Sequence, residues 1–317
     1  MNGLHPESQV SAAPVSESRR GAPGLLGLTW VPAASLIARE AGAVLREFFS
    51  EGVATEYKGD ADLVTVADRT SEKLIRERLA VAFPEHGIWG EEGTRERLSG
   101  EFRWYVDPLD GTTNFAHGYP QFAVSMGLEH RPAGLAVNQD GTLVAGVIYD
   151  PLRDELFAAE RGRGAVLNGK PLRVTRTPEL CESLTATGFP SHKRHENPNI
   201  HFYHEFTLRS HGVRRMGSAA LDLAYVAAGR LDGFWEFNLN PWDTAAGILL
   251  VEEAGGRVTD FAGKHFLLDS REILASNGLI HEELTGLFGD MFAGRNLSPI
   301  PTPREFAAHR AARAAQS

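Results

Sequence analysis

Apolar residues recur at helical spacing in residues 30–52, and this pattern predicts the first helix of the chain. Gly52 is expected to end the helix, because glycine readily adopts the left-handed conformation that commonly follows a helix C-terminus. The buried face of this helix is predicted to comprise Leu36, Ala43, Leu45, Phe48 and Phe49.

Residues 62–84 predict a short extended stretch that leads into a second helix. Pro84 follows the end of this helix, which is typical of a position where a helix cannot continue. The buried face of the second helix is predicted to comprise Leu74, Ile75, Leu79 and Ala82. The chain therefore begins with helices, and most of the strands come later.

Short apolar runs with strand character follow, and helices alternate with them to the end of the chain. The runs GIWGEE and RWYVD end on acidic residues, and residues 142–169 predict a meander of strands joined by turns. Later helices are predicted around residues 202–210, 218–229 and 241–255. This order predicts an α+β protein with layered sheets and helices, built as one unit or as two subdomains.

The two ends of the chain differ in composition from its centre. Residues 1–24 are rich in Ser, Pro, Ala and Gly and lack the apolar core of a signal peptide, so they are predicted to form a disordered tail. Residues 295–317 contain three prolines and a basic, Ala-rich end, and they are predicted to form a second, loose tail. The folded domain is expected over residues 25–294.

Composition narrows the classes of ligand and setting. The net charge is −9, with 41 acidic and 32 basic residues, which argues against nucleic acid as the main ligand. A phosphorylated small molecule stays open, since bound divalent cations can reverse the local charge. The single cysteine, Cys181, is expected in the core and favours a cytoplasmic setting. No apolar run reaches the length of a membrane span.

Acidic residues stand where predicted strands and helices begin or end. Asp107 and Asp110 follow the run RWYV, Glu91 lies in GIWGEE, and Asp243 lies in the first turn of a predicted helix. Taken alone, the Asp and Gly residues of DPLDGTT are equally typical of a turn. If these carboxylates meet, they repel one another unless a cation lies among them, and an oxygen-only ligand set suits Mg²⁺. Periodicity alone leaves open whether they meet in space.

Three motifs, found in one order along the chain, resemble those of a known family. DPLDGTTNF, the GEE before it and the PWDTAAG far downstream resemble the inositol monophosphatase family, and most closely its bacterial inositol-1-monophosphatases. The resemblance extends over residues 30–290 and covers neither tail. It implies a layered αβαβα sandwich, a homodimer and inhibition by Li⁺. It also implies Mg²⁺-dependent hydrolysis of myo-inositol monophosphate by direct attack of a metal-activated water.

The resemblance implies two or three Mg²⁺ ions in the active site of the domain 25–294. Glu91, Asp107 and the backbone carbonyl of Leu109 would hold the first ion. Asp107, Asp110 and Asp243 would hold the second ion. A third, weaker ion would lie near Glu91.

The resemblance also implies how water and phosphate are placed. Thr112 and Glu91 would orient the attacking water, and Asp68 would fix the Thr112 hydroxyl by a hydrogen bond. The amides of Gly111 and Thr112 would face the phosphate at the start of a helix. Lys58 would lie in a mobile loop ahead of Asp68.

On the substrate side, the resemblance places Glu236 at the inositol hydroxyls, Arg214 near the substrate and Arg215 at a subunit contact. Ser218 would also cap the helix that begins beside it. The substrate-binding residues implied in this way are Asp110, Gly111, Thr112, Arg214, Gly217, Ser218, Ala219, Glu236 and Asp243.

Two kinds of alternative remain open from the sequence. Relatives with the same metal core hydrolyse histidinol phosphate, fructose 1,6-bisphosphate or adenosine 3′,5′-bisphosphate, and Asn114 in DGTTNF favours the inositol and histidinol types. Some bacterial members of the family associate with the transcription machinery, which would be a binding role. The acids and threonine of the motifs argue against a purely structural protein.

Overall fold

The computed structural model describes residues 25–52, 55–57, 63–135, 140–189 and 199–307. Two predictions concern residues outside these ranges: the N-terminal tail and Lys58. The helices are α1 Trp30–Glu51, α2 Val66–Ala82, α3 Thr112–Ala116, α4 Asn199–Arg209, α5 Ala219–Ala227, α6 Pro241–Glu253 and α7 His281–Phe292, with a 3₁₀ turn at Leu180–Glu182.

The strands fall into a small hairpin and two larger sheets. The hairpin pairs β1 Thr55–Tyr57 with β2 Leu63–Thr65. The eight-stranded sheet contains β3 Gly87–Gly90, β4 Arg95–Glu96, β5 Phe102–Asp110, β6 Ala123–His130, β7 Thr142–Asp150, β8 Glu155–Glu160, β9 Ala165–Leu167 and β10 Lys170–Pro171. The five-stranded sheet contains β11 Leu184–Thr187, β12 Gly212–Arg214, β13 Gly233–Phe237, β14 Arg257–Thr259 and β15 Glu272–Ser276.

The strand orders are β10-β9-β8-β7-β6-β5-β3-β4 in the larger sheet and β12-β11-β13-β15-β14 in the smaller one. The larger sheet is antiparallel except where β3 runs parallel to β5. In the smaller sheet β11 runs parallel to both of its neighbours. The parallel pairing of β3 with β5 matters for the site, because it brings the carboxyl ends of two strands to the same edge.

Three apolar clusters divide the molecule into layers. In the first, α1 and α2 pack on one face of the larger sheet. In the second, α5 and α6 lie between the two sheets. In the third, α4 and α7 cover the outer face of the smaller sheet. Neighbouring residues of β13 show the alternation, since Phe234 faces the middle layer and Trp235 faces the outer one. The predicted αβαβα sandwich is confirmed.

Glycines in the larger sheet allow α6 to approach it closely. A Cβ on Gly127 would lie 2.6 Å from the Cβ of Ala245, and one on Gly146 would lie 2.8 Å from the carbonyl oxygen of Ala246. Real Cβ atoms do not tolerate such approaches, so larger side chains at either glycine would push the helix away. This contact fixes the height of α6 above the sheet and, with it, the position of Asp243 in its first turn.

Most predicted elements are confirmed, but some details are wrong. Leu36 and Ala43 are exposed, because the buried face of α1 is instead built largely from small residues and Ile37. The sequence interpretation also missed β6, whereas the expected helix start at Thr112 is present as α3. Cys181, expected in the core, is exposed. No helix within the described residues is long and apolar enough to cross a membrane.

The first residues of the segment after residue 294, which the sequence predicts to be loose, contact the C-terminal half of α4. Arg209 donates to the carbonyl of Asn296 at 2.8 Å, and the Ser298 amide donates to the Glu205 carboxylate at 2.5 Å. Glu205 itself is buried. The described residues therefore include an attachment of this segment to the body as far as Ser298.

Candidate active site

The site is built around the end of β5. Its pairing with β6 shifts register between Asp107 and Asp110, so the strand departs from regular geometry at these two acids. Asp107 is 2% exposed, and its Oδ1 accepts a hydrogen bond of 2.9 Å from the Leu109 amide. Ser71 of α2 donates to the Pro108 carbonyl at 3.0 Å and fixes the same turn from the other side.

Gly111 makes the transition from β5 to α3 possible. Its φ of 98° lies in the left-handed region, where a side chain is strained. A Cβ there would also lie 2.9 Å from the carbonyl oxygen of Gln121. Thr112 therefore begins α3 directly after the two acids, and its hydroxyl lies beside them.

The Thr112 hydroxyl is held between two oxygens. Its Oγ1 lies 3.1 Å from Asp68 Oδ1 and 3.0 Å from the carbonyl oxygen of Leu109. A hydroxyl has one proton, so it donates to one oxygen at a time and keeps its lone pairs for another donor. If the Leu109 carbonyl binds a cation, the proton is directed to Asp68.

Asp68 is oriented by the start of α2. Its Oδ2 accepts from the Thr65 amide at 2.8 Å and from the Thr65 hydroxyl at 2.5 Å, which completes a capping box. The side chain is fully buried, and burial raises the pKa of Asp68 in spite of these hydrogen bonds. The hydrogen bond to Thr112 that the resemblance implied is present.

Asp110 joins β5 to the start of α5. Its Oδ2 accepts from the Ser218 hydroxyl at 2.5 Å and from the Ala220 amide at 2.8 Å. Ser218 also caps α5, since its Oγ accepts from the Leu221 amide at 3.4 Å. Burial raises the pKa of Asp110 to about 6, although the hydrogen bonds from Ser218 and the α5 amides oppose this shift.

Asp243 comes from the first turn of α6. Its Oδ2 accepts from the Asn240 amide at 2.7 Å, which fixes the carboxylate at the N-terminus of the helix. Burial raises the pKa of Asp243 to about 8, and the nearby charges of Asp110 and Glu236 act in the same direction. Three separate elements therefore direct acids toward one place.

The Asp107 carboxylate is the one on which the other charges converge. Burial raises its pKa well above the usual range, and repulsion from Glu91, Asp110 and Asp243 raises it further. The Glu91 amide donates to the Val106 carbonyl at 3.1 Å, so the chain continues alongside β5 after β3 ends. This contact holds Glu91 near Asp107. The structure therefore brings together the four acidic side chains that the sequence analysis assigned to metal ions.

The chemical type of the candidate ligand atoms suits a hard divalent cation. All of the candidate ligands are oxygens, and a cation would relieve the repulsion that raises the pKa of Asp107. Among the described residues, hydrogen bonds to Asp107 and Asp243 reach only one oxygen of each carboxylate. Within the same ranges, no three His, Cys, Asp or Glu side chains already stand at the spacing of a closed metal shell.

Glu236 lies on the other side of the site, on β13. Its carboxylate is packed so tightly against Gly188 that a Cβ on that glycine would overlap it. Burial raises the pKa of Glu236 to about 8, while the charge of Arg215 opposes this shift. Glu236 is therefore close enough to the acids for its charge to affect Asp243, as the resemblance implied for a substrate-side residue.

The backbone before α5 is tied to α3. The Asn114 side-chain amide donates to the carbonyl of Gln121 at 2.8 Å, of Met216 at 2.8 Å and of Gly217 at 3.2 Å. Gly217, Ser218 and Ala219 therefore lie beside the start of α3, as expected for residues that line one pocket. Asn114, noted in the sequence only as a mark of substrate type, is a structural link between the two helices.

The two neighbouring arginines, for which the resemblance implied different roles, have different surroundings within the chain. Arg214 ends the edge strand β12, where its Nη1 would lie 3.3 Å from a Cβ on Gly212. Arg215 instead folds over Gly217, where a Cβ would lie 2.5 Å from its Nη1. Both side chains are exposed. The structure places Arg215 beside the candidate pocket, and Arg214 on the edge strand.

Two further acids near the site were missed in the sequence. Asp222 of α5 is 1% exposed, and its Oδ1 has no hydrogen-bond partner among the described residues. Burial raises the pKa of Asp222 well above its usual range, and repulsion from Glu236 and Asp110 raises it further. Glu72 accepts from the Glu92 amide at 2.8 Å and shapes the turn after Glu91. An acid inside the apolar run AALDLAYVA was a visible signal for Asp222. The function of Glu72 depends on a tertiary contact.

Comparisons with known proteins show the family to which the chain belongs. The model of the inositol monophosphatase family matches residues 29–291. An inositol-1-monophosphatase from Mesorhizobium japonicum is 45% identical over 78% of this chain and 91% of its own length. A Nus factor SuhB from Pseudomonas aeruginosa is 46% identical over 71% of this chain and 82% of its own length.

Solved structures show the same likeness. The structure of an inositol monophosphatase from Anabaena (Nostoc) sp. superposes with a TM-score of 0.73 at 40% sequence identity. The similarity covers 85% of this chain and 96% of that protein. Sequence and fold therefore lead to the same family over the same part of the chain.

Proposed function

Since the chain belongs to the inositol monophosphatase family and is a phosphoric monoester hydrolase, we propose that it hydrolyses myo-inositol monophosphate with Mg²⁺. The observation that carries this proposal is the convergence of Glu91, Asp110 and Asp243 on the buried Asp107, with the Thr112 hydroxyl beside them. Two Mg²⁺ ions, with a weaker third, are the cofactors of this proposal.

The proposed ligands are the oxygens already described. Glu91, Asp107 and the Leu109 carbonyl would hold one ion, and Asp107, Asp110 and Asp243 would hold the second. Bound Mg²⁺ would neutralise the phosphate and acidify a water molecule. The fixed carboxylates of β5 and α6 supply the negative charge that such ions need, at the edge where β5 meets α3.

The chain itself would place the attacking water and the phosphate. The Thr112 hydroxyl donates to Asp68, which leaves its oxygen free to accept a hydrogen bond from the water. Glu91 would orient the same water, and the amides of Gly111 and Thr112 would face the phosphate. The water oxygen forms a new bond to phosphorus and loses a proton, the ester P–O bond breaks, and the leaving alkoxide takes up a proton and departs as inositol.

The test of the proposed function is a panel of phosphate esters assayed with the purified full chain. The panel contains inositol 1-phosphate, histidinol phosphate, fructose 1,6-bisphosphate and an aryl phosphate, each with Mg²⁺ and with excess chelator. We expect Mg²⁺-dependent release of phosphate, with the highest kcat/KM on inositol 1-phosphate. A higher kcat/KM on another ester would reassign the substrate, and turnover of none of them would overturn the proposal.

A binding role in transcription is a second candidate, because relatives from Pseudomonas aeruginosa and Neisseria meningitidis are named Nus factor SuhB or putative Nus factor SuhB. A pull-down at low salt with purified RNA polymerase tests this role. Capture that survives an inactive variant such as Asp107→Asn would support it, and no capture by the wild-type chain would exclude it. A cytoplasmic homodimer inhibited by Li⁺ also belongs to the proposal.

A further inference from the structure

Ser125 of β6 lies directly opposite Asp107 of β5. The two residues form the last regular pair of these antiparallel strands before the register shifts at the end of β5. Side chains of directly opposite residues lie on the same face of a sheet. Tyr105 and Ala123, each two residues from one member of the pair, belong to the apolar cluster between the two sheets. The side chains of Ser125 and Asp107 therefore both point toward the layer that contains α6.

The Ser125 hydroxyl connects this strand pair to α6. Its Oγ donates to the carbonyl oxygen of Trp242 at 3.3 Å, and the residue is fully buried. Trp242 directly precedes Asp243 in the first turn of α6, where the Asn240 amide already holds the Asp243 carboxylate. The hydroxyl is therefore bonded to the residue before one proposed ligand, and it stands across the strands from another.

Further along α6, small residues make the contact with the sheet. Gly127 lies against Ala245, and Gly146 lies against Ala246. These contacts fix the height of the helix, but glycine and alanine have no polar side-chain atoms that would fix its rotation or its position along the strands. A hydrogen bond depends on direction as well as distance, so the Ser125 hydroxyl fixes the first turn of α6 in both respects.

The position of the first turn matters because Asp107 and Asp243 come from separate elements and would share one cation. Mg²⁺ requires nearly ideal octahedral geometry, with ligand oxygens at about 2.0–2.1 Å. A small displacement of one carboxylate relative to the other would therefore weaken binding of the ion. Residues that orient ligands without touching the metal typically change its affinity about 10- to 100-fold.

We propose that Ser125 is a positioning residue, which holds Asp243 at the distance from Asp107 that the second Mg²⁺ requires. This inference rests on the proposed function of the same site, since the second ion belongs to that proposal. Ser125 is not itself a ligand. Its proton is donated to the Trp242 carbonyl, and it acts on Asp243 through the backbone of α6.

The test compares Ser125→Ala with Ser183→Ala. Ser183 is a matched control, because it is also fully buried and its Oγ donates to a backbone carbonyl, that of Leu180, at 2.7 Å. Mg²⁺ is titrated into each full-length chain without substrate after chelation, and the melting temperature is measured. The Mg²⁺ concentration that gives the same rise in melting temperature should be about 3- to 10-fold higher for Ser125→Ala than for the wild type. For Ser183→Ala it should stay within about twofold of wild type.

A second measurement asks whether Ser125 acts through Asp243. The Mg²⁺ titration is repeated with Ser125→Ala in the background of Asp243→Asn, which removes the charge that the second ion needs. The effect of Ser125→Ala should then shrink to less than about twofold, because the ligand that it positions is gone. Ser125→Cys fills the space of the hydroxyl but donates only weakly, so it should show the same loss as Ser125→Ala. The cysteine variant decides the matter if the alanine variant does not fold.

The outcomes separate this inference from the proposed function. If Mg²⁺ raises the melting temperature of the wild-type chain but no phosphate ester is hydrolysed, the proposed function fails while the titrations still decide on Ser125. If Mg²⁺ does not stabilise the wild-type chain, both fail, since no ion is present to be positioned. The inference alone is wrong if Ser125→Ala keeps the wild-type response to Mg²⁺. It is also wrong if Ser183→Ala shows an equal loss, or if the loss persists in full with Asp243→Asn.

Discussion

Asp107 and Glu129 lie on the neighbouring strands β5 and β6, and both are buried, yet their surroundings are opposite. Glu129 accepts from the Tyr105 hydroxyl at 2.9 Å, from Arg131 at 3.1 Å and from the Gly141 amide at 2.5 Å. Asp107 accepts from one amide and faces three other carboxylates. One acid is compensated within the chain, and the other is not.

This difference separates structural acids from candidate ligands. A buried carboxylate with several donors stabilises the fold as part of a hydrogen-bonded network. A buried carboxylate among like charges costs free energy unless it takes up a proton or a cation. Glu72 and Glu205 are of the first kind, since each accepts several hydrogen bonds. Asp107 and Asp243 are of the second kind.

The largest expected effect is on catalysis by acids of the second kind. Asp107→Asn and Asp243→Asn keep the shape of the side chain and remove one charge that the cations need. We predict that kcat falls about 10²-fold or more on every ester, because the lost charge acts on the transition state. Steady-state kinetics with saturating Mg²⁺ measure this, and a variant that spares either an inositol or an aryl ester would contradict the two-metal assignment.

Substitution of an acid of the first kind should lower the stability of the fold and leave catalysis largely unchanged. Glu129→Gln removes the negative charge from the ion pair with Arg131, whose side chain is 12% exposed. We predict that the free energy of unfolding falls by about 2–4 kcal/mol, as for the loss of one partner in a buried ion pair. Denaturant unfolding measures the loss, and kcat at a temperature where the variant is folded should stay within about threefold of wild type. A variant that is stable but inactive would place Glu129 in the site.

The sequence predicted the ligands better than their environment. The resemblance of three motifs to a known family led to Asp107, Asp110 and Asp243 as candidate ligands, and the structure places these acids near one another. It could not distinguish Asp107 from Glu129, because burial and partners come from strand pairing across the larger sheet. Asp222 was also missed, although an acid inside an apolar run is a visible signal; only the tertiary structure shows that it lies near Glu236 and Asp110.

Small residues account for the error in the buried face of α1. The stripe of α1 was assigned from large apolar side chains, whereas the helix buries Ala33, Ala34, Ala38 and Ala41 against its neighbours. Similarly, the position of the Arg215 side chain depends on the backbone at Gly217, which has a φ of 80°. Periodicity reports hydrophobicity and is insensitive to such local geometry.

A third acid, Glu236, sharpens the comparison because it has an arginine nearby but lies among the site acids. We predict that Glu236→Gln lowers kcat/KM on inositol 1-phosphate more than on an aryl phosphate, by about 1–2 kcal/mol in transition-state free energy. The cause is the loss of an anionic acceptor for ring hydroxyls. Equal losses on the two esters would show that Glu236 does not contact the alcohol portion.

The smallest expected effect is on stability as a function of pH. Burial raises the pKa of both Asp243 and Glu236 to about 8, so their contribution to stability is present at acid pH and is lost as pH rises toward 8. Half-buried His86 and buried His281 act in the opposite direction. Burial lowers their pKa from 6.5 to about 4, so the stability that they contribute is lost only as pH falls below 6.5. Between pH 6.5 and 8, the change in stability with pH therefore comes from the acids and not from these two histidines.

In chelator, we predict that the free energy of unfolding falls by about 1–2 kcal/mol across this window, after allowing for partial solvation of the groups. Asp243→Asn should reduce the slope, and Glu129→Gln should leave it unchanged. Denaturant unfolding at a series of pH values tests this. A stability that rises from pH 6.5 to 8 would show that the site acids are already compensated within the chain.

The most direct test of the account is a Mg²⁺ titration of phosphate release from inositol 1-phosphate by the chelated wild-type chain. The compensated acids need no cation, whereas the uncompensated acids at Asp107 do, so turnover should be absent at first and should return with saturation as Mg²⁺ is added. Ca²⁺ at the same concentrations should restore little, because its looser coordination misplaces the water. Full turnover in excess chelator would contradict the central claim that these acids form a metal-dependent phosphatase site.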